Sequence, residues 1–318
     1  MMTVPSTTLA GGTEIRSVKN KNIGVIGLGN MGMGIAKNLV AAGFAVTAYD
    51  LNKERLDAFV RLGGRIAADV AAVGACSDIA FVMVVDARQA KEVICGKDRL
   101  LEAMKPEDII VVTATIGSPA VCEIAAQAKE RGVYVIDSPV SGGRTGADAG
   151  ELTLMMSGDR RAYELCLDAF KAIGKDINYV GEQVGMGQVA KACLQGLVGC
   201  IYSGMFEVLV LGVKAGLSAE TLFSIIGTSV ANTPLFQGSV PAIMDRKFTG
   251  TGSNIYNTYK DLTITMALAQ ECGVPMMTTG TATQFFKAGN TKFPKEDNQC
   301  LVKLLEDIVG IEVKRAAK

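Results

Sequence analysis

Between Asn22 and Gly181, short runs of β-branched residues alternate with longer alanine-rich stretches of helical period. A chain written that way is confined to strand, helix, strand crossovers, which build a parallel sheet covered by helices. Strands are predicted at residues 23–26, 45–49, 79–85, 109–113 and 133–136, and two more, at 152–157 and 177–180, extend the sheet beyond the first five. After Gly181 the alternation stops, and helices are predicted from about Gly187 and over 219–226, 259–271 and 297–308. The chain has 318 residues, about twice the ~150 that serves as a loose prior for one domain, and the shift in composition at 182–185 is the natural boundary.

The first crossover carries a ligand signature. In NIGVIGLGNMGMGIAKNLVAAG, Gly27, Gly29 and Gly32 form GxGxxG directly after a strand and at the mouth of a helix. The first glycine permits the tight turn, the second lets backbone approach a pyrophosphate, and the third lets helix and strand pack closely. Leu28, Asn30 and Met31 complete the loop, whose helix start offers free N–H groups to phosphates. Asp50 closes the second strand, AVTAYD, about 20 residues on, where a carboxylate accepts ribose hydroxyls and repels a 2′-phosphate. NAD is therefore the expected cofactor, with Lys53 and Arg55 keeping NADP possible. The fold class is α/β: an N-terminal Rossmann-type parallel sheet domain for the dinucleotide, residues 21–184, followed by an all-α domain for substrate and dimerisation, residues 185–318. Residues 1–20, polar and threonine-rich without a secretory pattern, are expected to be a flexible extension.

Composition narrows the chemistry. There are no histidines, so a Ser-His-Asp triad, a His-ligated zinc or a His base is impossible, and proton transfer must use Lys, Tyr, Cys or a carboxylate. Lys plus Arg equals Asp plus Glu at 32 each, with no basic run, so neither nucleic acid nor an anionic membrane surface is an expected partner. The 8 cysteines include no CxxC pair; a metal site is not expected, and a reducing, cytoplasmic setting is. The apolar stretch 197–213 carries Glu207 and several glycines and falls short of the ~20 apolar residues of a membrane span, so it reads as a buried helix.

An enzyme that passes hydride to nicotinamide from an alcohol also needs a positioned base and groups that hold the substrate. Three segments offer these: DSPVSGG from Asp137 to Gly143, GMGQVAKACLQ from Gly185 to Gln195, and YKDL from Tyr259 to Leu262. With the glycine loop, they stand in the order and spacing of the β-hydroxyacid dehydrogenase family, which the chain resembles from about Asn22 to Ile311. The resemblance implies Lys191 as acid-base residue, a substrate loop at Ser141, Gly142 and Gly143, Lys260 reaching the cofactor with Asp261 beside it, and Thr115 of VTATI against the nicotinamide ribose. Independently of it, Ala190, Ala192, Cys193 and Leu194 leave little polar surface around Lys191. To act as base near neutral pH its pKa must fall below ~10.4, by burial or through a second cation such as Lys260.

The sequence also departs from the common family pattern. Most members have asparagine one helical turn after the lysine, in contact with substrate, whereas this chain has Gln195, longer by a methylene. That change, with VSGGRTGADAGELTLMMSG and KAGNTKFPKED, resembles the L-threonate dehydrogenase branch, so a small hydroxy or sugar acid is the expected substrate. The alternatives are the smaller acids of 3-hydroxyisobutyrate dehydrogenase or tartronate semialdehyde reductase, and, outside catalysis, an NAD(P)-binding sensor or interaction module. Arg144 could clamp a carboxylate or be a solvated loop residue. The apolar helix after Lys191 has more hydrophobic face than a small helical domain covers, which suggests a homodimer or homotetramer.

Overall fold

The first strand, β1 (Asn22–Ile26), is buried along four of its five residues and runs into α1 (Asn30–Ala41). There follow β2 (Ala45–Tyr49), α2 (Lys53–Arg61), β3 (Arg65–Ile66), α3 (Val70–Ala75), β4 (Ile79–Val82), α4 (Ala87–Cys95), α5 (Leu100–Ala103), β5 (Ile109–Val112), α6 (Ser118–Glu130) and β6 (Tyr134–Asp137). The sheet ends with β7 (Val140–Ser141), α7 (Gly143–Ala149), β8 (Leu152–Ser157), α8 (Arg160–Ile173) and β9 (Gly174–Gly181). This computed structural model describes residues 21–316 apart from Thr251 and Ser253; the expected extension at 1–20 lies outside the described residues.

Side-chain caps start many of these helices, because a short polar side chain satisfies an amide that the helix itself leaves unpaired. Asn52, Asp69, Asp86 and Asp159 each accept an N–H from the first turn of the helix they precede. The strand order is β3-β2-β1-β4-β5-β6-β8-β7, with β9 on β8. β3 through β6 are mutually parallel, and the central β4 and β5 are buried at every position, as strands covered on both faces must be. The sheet is thus parallel as expected over six strands and departs from that only at its far edge. β8 runs antiparallel to β6 and to β7, and only β9 lies parallel to β8. Alternation of strand and helix fixes the composition of a crossover unit but not the direction in which a strand returns after a short turn.

The remainder is helical: α9 (Met186–Lys214), α10 (Ala219–Gly227), α11 (Pro234–Met244), α12 (Ile255–Glu271), α13 (Met277–Lys292), a 3₁₀ turn at Asn298–Leu301 and α14 (Val302–Val309). Of these, α11 and α13 have no counterpart among the sequence-based helices. Pro241 interrupts the first, while threonines and two glycines dilute the second. By length and hydropathy α9 passes as a membrane span, yet its inner face packs into a core with Tyr202, Phe206, Leu209, Leu262 and Phe286. Glycine makes that packing possible: a Cβ on Gly199 would sit 2.7 Å from the Leu262 side chain of α12. This close approach fixes α12, and with it Lys260 and Asp261, against the first turns of α9.

Candidate active site

Residues of the glycine loop divide by what surrounds them. Gly27 has φ +92°, and a Cβ there would overlap the carbonyl of Met83 at the end of β4. A Cβ on Gly32 would overlap the carbonyl of Gly27, so the turn and the helix can touch only without side chains. Gly29 differs, since nothing lies within 4 Å of its Cβ position, and this is the face left open for a ligand. No side chain caps α1, and no acidic residue stands in its first turn, so the amides at Asn30, Met31 and Gly32 meet no protein anion there.

Asp50 is bound into the same loop. Its Oδ2 accepts the Leu28 N–H and its Oδ1 the Asn52 N–H, each at 2.7 Å, while Arg55 approaches at 3.4–3.5 Å. A carboxylate has about four lone-pair sites. The two short bonds leave one site on each oxygen, where Arg55 now approaches at 3.4–3.5 Å; a ribose diol that displaces Arg55 finds both, so these residues fit a nicotinamide dinucleotide. A cleft beside them is bordered by Gly29, Asn30, Arg55 and Arg144. Arg144 thus borders the cleft at the glycine loop and pairs with Asp148 at 3.6 Å.

The start of α9 is docked onto a buried acid. Gly185 holds φ +101°, and a Cβ on Gly187 would overlap the Met155 carbonyl and lie 2.8 Å from Asp137 Oδ2. Free of side chains, this turn lets Gln188 N–H donate to Asp137 Oδ2 at 3.0 Å and Gln188 Nε2 to Oδ1 at 2.8 Å. Ser157 Oγ adds a third bond at 3.2 Å. Asp137 is nevertheless without any exposure, and burial pushes its carboxyl up to about 6, against the pull of the bonds from Gln188 and Ser157. Neither Asp137 nor Gln188 emerged as a site residue from the sequence, although both lie within the motif segments that drew attention.

One helical turn on, Lys191 is 6 % exposed, and its amine forms neither a hydrogen bond nor an ion pair with any described residue. Burial lowers its pKa most; the Asp261 charge opposes that, and Lys260 adds to it. Both expected causes of the depression are thus present, with burial the larger. Lys260 Nζ donates to the Thr115 carbonyl at 2.6 Å and lies 2.9 Å from Asp261 Oδ1. That second approach is off the line a hydrogen bond needs, and Asp261 Oδ1 has no hydrogen-bond partner. Asp261 Oδ2 instead accepts from Gln195 Nε2 at 2.7 Å.

Lys191, Gln195, Thr115, Lys260 and Asp261 are therefore brought into one cluster. Ser141 ends β7, half-buried, and Gly142 and Gly143 follow with φ +130° and +60° at the start of α7. No hydrogen bond joins these three to the lysine cluster among the described residues. Their link runs through the chain, four residues from Asp137 to Ser141, so the acid that docks α9 also begins the loop.

Residues 22–181 match the family described as the NAD binding domain of 6-phosphogluconate dehydrogenase, and residues 185–305 that described as NAD-binding of NADP-dependent 3-hydroxyisobutyrate dehydrogenase. The chain is 35 % identical over 297 residues to 2-(hydroxymethyl)glutarate dehydrogenase of Eubacterium barkeri, covering 93 % of this chain and 98 % of that one. It is 33 % identical to L-threonate dehydrogenase of Cupriavidus necator over 91 % of this chain and 97 % of the relative. Among solved structures, 3-hydroxyisobutyrate dehydrogenase from Salmonella typhimurium superposes with a TM-score of 0.83 at 27 % identity, over 90 % of this chain and all of the other.

Proposed function

Because the chain belongs to the β-hydroxyacid dehydrogenase family, as an NAD-dependent hydroxyacid dehydrogenase, we propose that it oxidises the 2-hydroxyl of a small sugar acid of the L-threonate kind, with Lys191 as general acid and base. The observation that carries this reading is the Lys191 amine, buried yet unbonded. Burying a lysine amine with no protein partner costs free energy, and such a group at a cleft points to a ligand as its partner. Bound NAD supplies the hydride acceptor. The neutral amine takes the hydroxyl proton as the C–H electron pair leaves, the carbinol becomes a carbonyl, and the ammonium returns its proton to solvent.

Gln195 supports a polyhydroxylated substrate. The Asp261 carboxylate can only accept, so the NH₂ of the Gln195 amide must face it and the carbonyl must face away. An acceptor turned to the cleft meets a substrate hydroxyl well and a second carboxylate badly, which favours a sugar acid over a dicarboxylic acid such as that in the name of the Eubacterium relative. Ser141 and the amides of Gly142 and Gly143 are the receiving groups for the substrate carboxylate. Gly27 to Gly32, Asp50, Thr115 and Lys260 hold the cofactor, residues 21–184 form its unit, and residues 185–318 form the substrate and dimerisation unit.

Leu197, Val208 and Leu211 remain exposed along the outer face of α9, with Gly204 open between them, which supports assembly into a homodimer or homotetramer through this helix. All eight cysteines are free thiols, in keeping with a cytoplasmic setting.

The experiment is a screen of L-threonate, 3-hydroxyisobutyrate, 2-(hydroxymethyl)glutarate and related acids with NAD and NADP, with Lys191→Ala as control. Turnover of L-threonate should fall by about 10²- to 10⁴-fold in the variant while NADH still binds. A variant with unreduced kcat would remove Lys191 from the chemistry, and activity confined to 3-hydroxyisobutyrate would move the substrate to the smaller acids.

A further inference from the structure

Hydride transfer needs the carbinol carbon against the nicotinamide while its oxygen meets the base, so two parts of the protein must keep a set separation. Here they belong to different halves. The loop 114–117 leaves the end of β5, and Lys191 rides on α9. The side chain of Gln188 spans the gap. Its Nε2 donates to the Ala114 carbonyl at 3.1 Å and to Asp137 Oδ1 at 2.8 Å, and its Oε1 accepts the N–H groups of Ile116 at 2.9 Å and Gly117 at 3.0 Å. Two donors and two acceptor sites are all that an amide has. This one is saturated in a single orientation, 2 % exposed, three residues before Lys191 on the same helix face.

Beyond the bond from Thr113 N–H to the Val82 carbonyl, the sheet no longer holds this loop. Its backbone is tied by Gln188 at Ala114, Ile116 and Gly117 and by Lys260 at Thr115, and both ties come from the helical half. Resting on the reading of the loop as the neighbour of the nicotinamide and of Lys191 as the base, we propose that Gln188 is a positioning residue: its amide, steadied by Asp137, sets the nicotinamide-side loop at a fixed distance from the catalytic amine. Only a side-chain amide offers these two donors and two acceptor sites, and that of Asn is one methylene shorter. A carboxylate in its place has no N–H for the Ala114 carbonyl and faces Asp137 as a like charge, while an aliphatic side chain strands two N–H groups, a carbonyl and a carboxylate oxygen.

The charged groups around the clasp are few. Asp137 comes from β6, Lys191 from α9, and Lys260 and Asp261 from α12. Lys91 of α4, Glu123 of α6 and Glu271 of α12 border a cavity of about 250 Å³ that Gln188 also borders, and Lys91 pairs there with Glu123. Ratios to wild type at each pH cancel their titration.

The test compares NADH with ADP, which lacks the nicotinamide and its ribose, by binding to wild type, Gln188→Leu and Gln188→Glu. Gln188→Leu should weaken NADH by about tenfold or more and ADP by less than about twofold, since only the loop beside the nicotinamide and its ribose is released. On L-threonate its kcat should fall about tenfold or more with KM within about threefold. Gln188→Glu should bind NADH poorly at about pH 9 and recover toward wild type at about pH 6, where the introduced carboxyl and Asp137 share a proton. Equal weakening of both ligands, unchanged NADH affinity, or a pH-independent ratio for Gln188→Glu overturns the proposal. If circular dichroism shows Gln188→Leu unfolded, Gln188→Glu decides with the same ligands. Absence of turnover in wild type on every acid counts against the proposed substrate and leaves the ligand comparison intact.

Discussion

Asp137 offers a measurement in which two physical effects oppose each other and the sign of one slope decides between them. Its carboxylate takes the backbone N–H at the start of a 29-residue helix, where the helix dipole favours a negative charge. It is also fully buried among uncharged partners, which favours the acid, and burial wins, lifting the pKa from 3.8 to about 6. Between those values the folded protein holds a proton that the unfolded chain has released, so stability rises as pH falls through about 6 and the gain is complete below the unfolded value. At about 1.36 kcal/mol per pKa unit the full gain is on the order of 3 kcal/mol, of which roughly 1 kcal/mol falls between about pH 7 and about pH 5. Asp137→Asn cannot titrate and lowers the baseline by turning an NH₂ toward the Gln188 donors, but its pH slope lacks this contribution. Urea unfolding of both proteins across that range isolates it, because all other groups cancel in the difference. Wild type should gain on the variant on acidification. Parallel curves would show that Asp137 titrates normally, and a wild type that loses ground would show that the helix start, rather than burial, governs the charge.

Two further outcomes follow from the same site. Lys260→Met removes a cation that lowers the Lys191 pKa, so the rising limb of the oxidation rate should move to higher pH, whereas Asp261→Asn removes the charge that raises it and should move the limb to lower pH; shifts in one common direction in the kcat–pH profiles would refute this assignment. Gly29→Ala should fold as wild type but lose NADH affinity, since its Cβ meets only the space a pyrophosphate would fill, while Gly32→Ala should lower the melting temperature as well, because its Cβ overlaps the Gly27 carbonyl; calorimetry and NADH titration of the pair separate the two roles.

Strands β2 and β8 stand at the residues read from the pattern, β2 because alternating burial on a pleated surface writes itself into every second residue, and β8 because a short apolar run between turn residues reads as a buried strand. Helices α11 and α13 were not legible for the converse reason. Pro241, Gly280, Gly289 and a run of threonines give them poor intrinsic propensity, and what holds them is packing by Phe236, Val240 and Phe286, which no local window contains. The two-residue strands β3 and β7 are too short to carry a period at all. The glycine loop and Lys191 were readable because their chemistry demands particular residue types at particular spacings. Asp137 and Gln188 carry no such mark, since a buried polar network is defined by partners 51 and 72 residues away.

Three carboxylates nevertheless share one logic that links these parts. Asp50 takes the Leu28 N–H and ties β2 to the glycine loop, Asp137 takes the Gln188 N–H and ties β6 to α9, and Asp261 takes the Gln195 amide and ties α12 to the face that bears Lys191. Each is an acceptor-only group, so each dictates which end of its neighbour points toward it and which end points into the cleft. The Lys191 amine stands apart from all three. Had any of them paired with it directly, the ammonium would be held charged and its pKa raised, and a buried ion pair would replace a base. With Asp261 bonded to Gln195 and flanked by Lys260, the two charges act on the amine in opposite senses, and burial, the largest effect, draws the Lys191 pKa down.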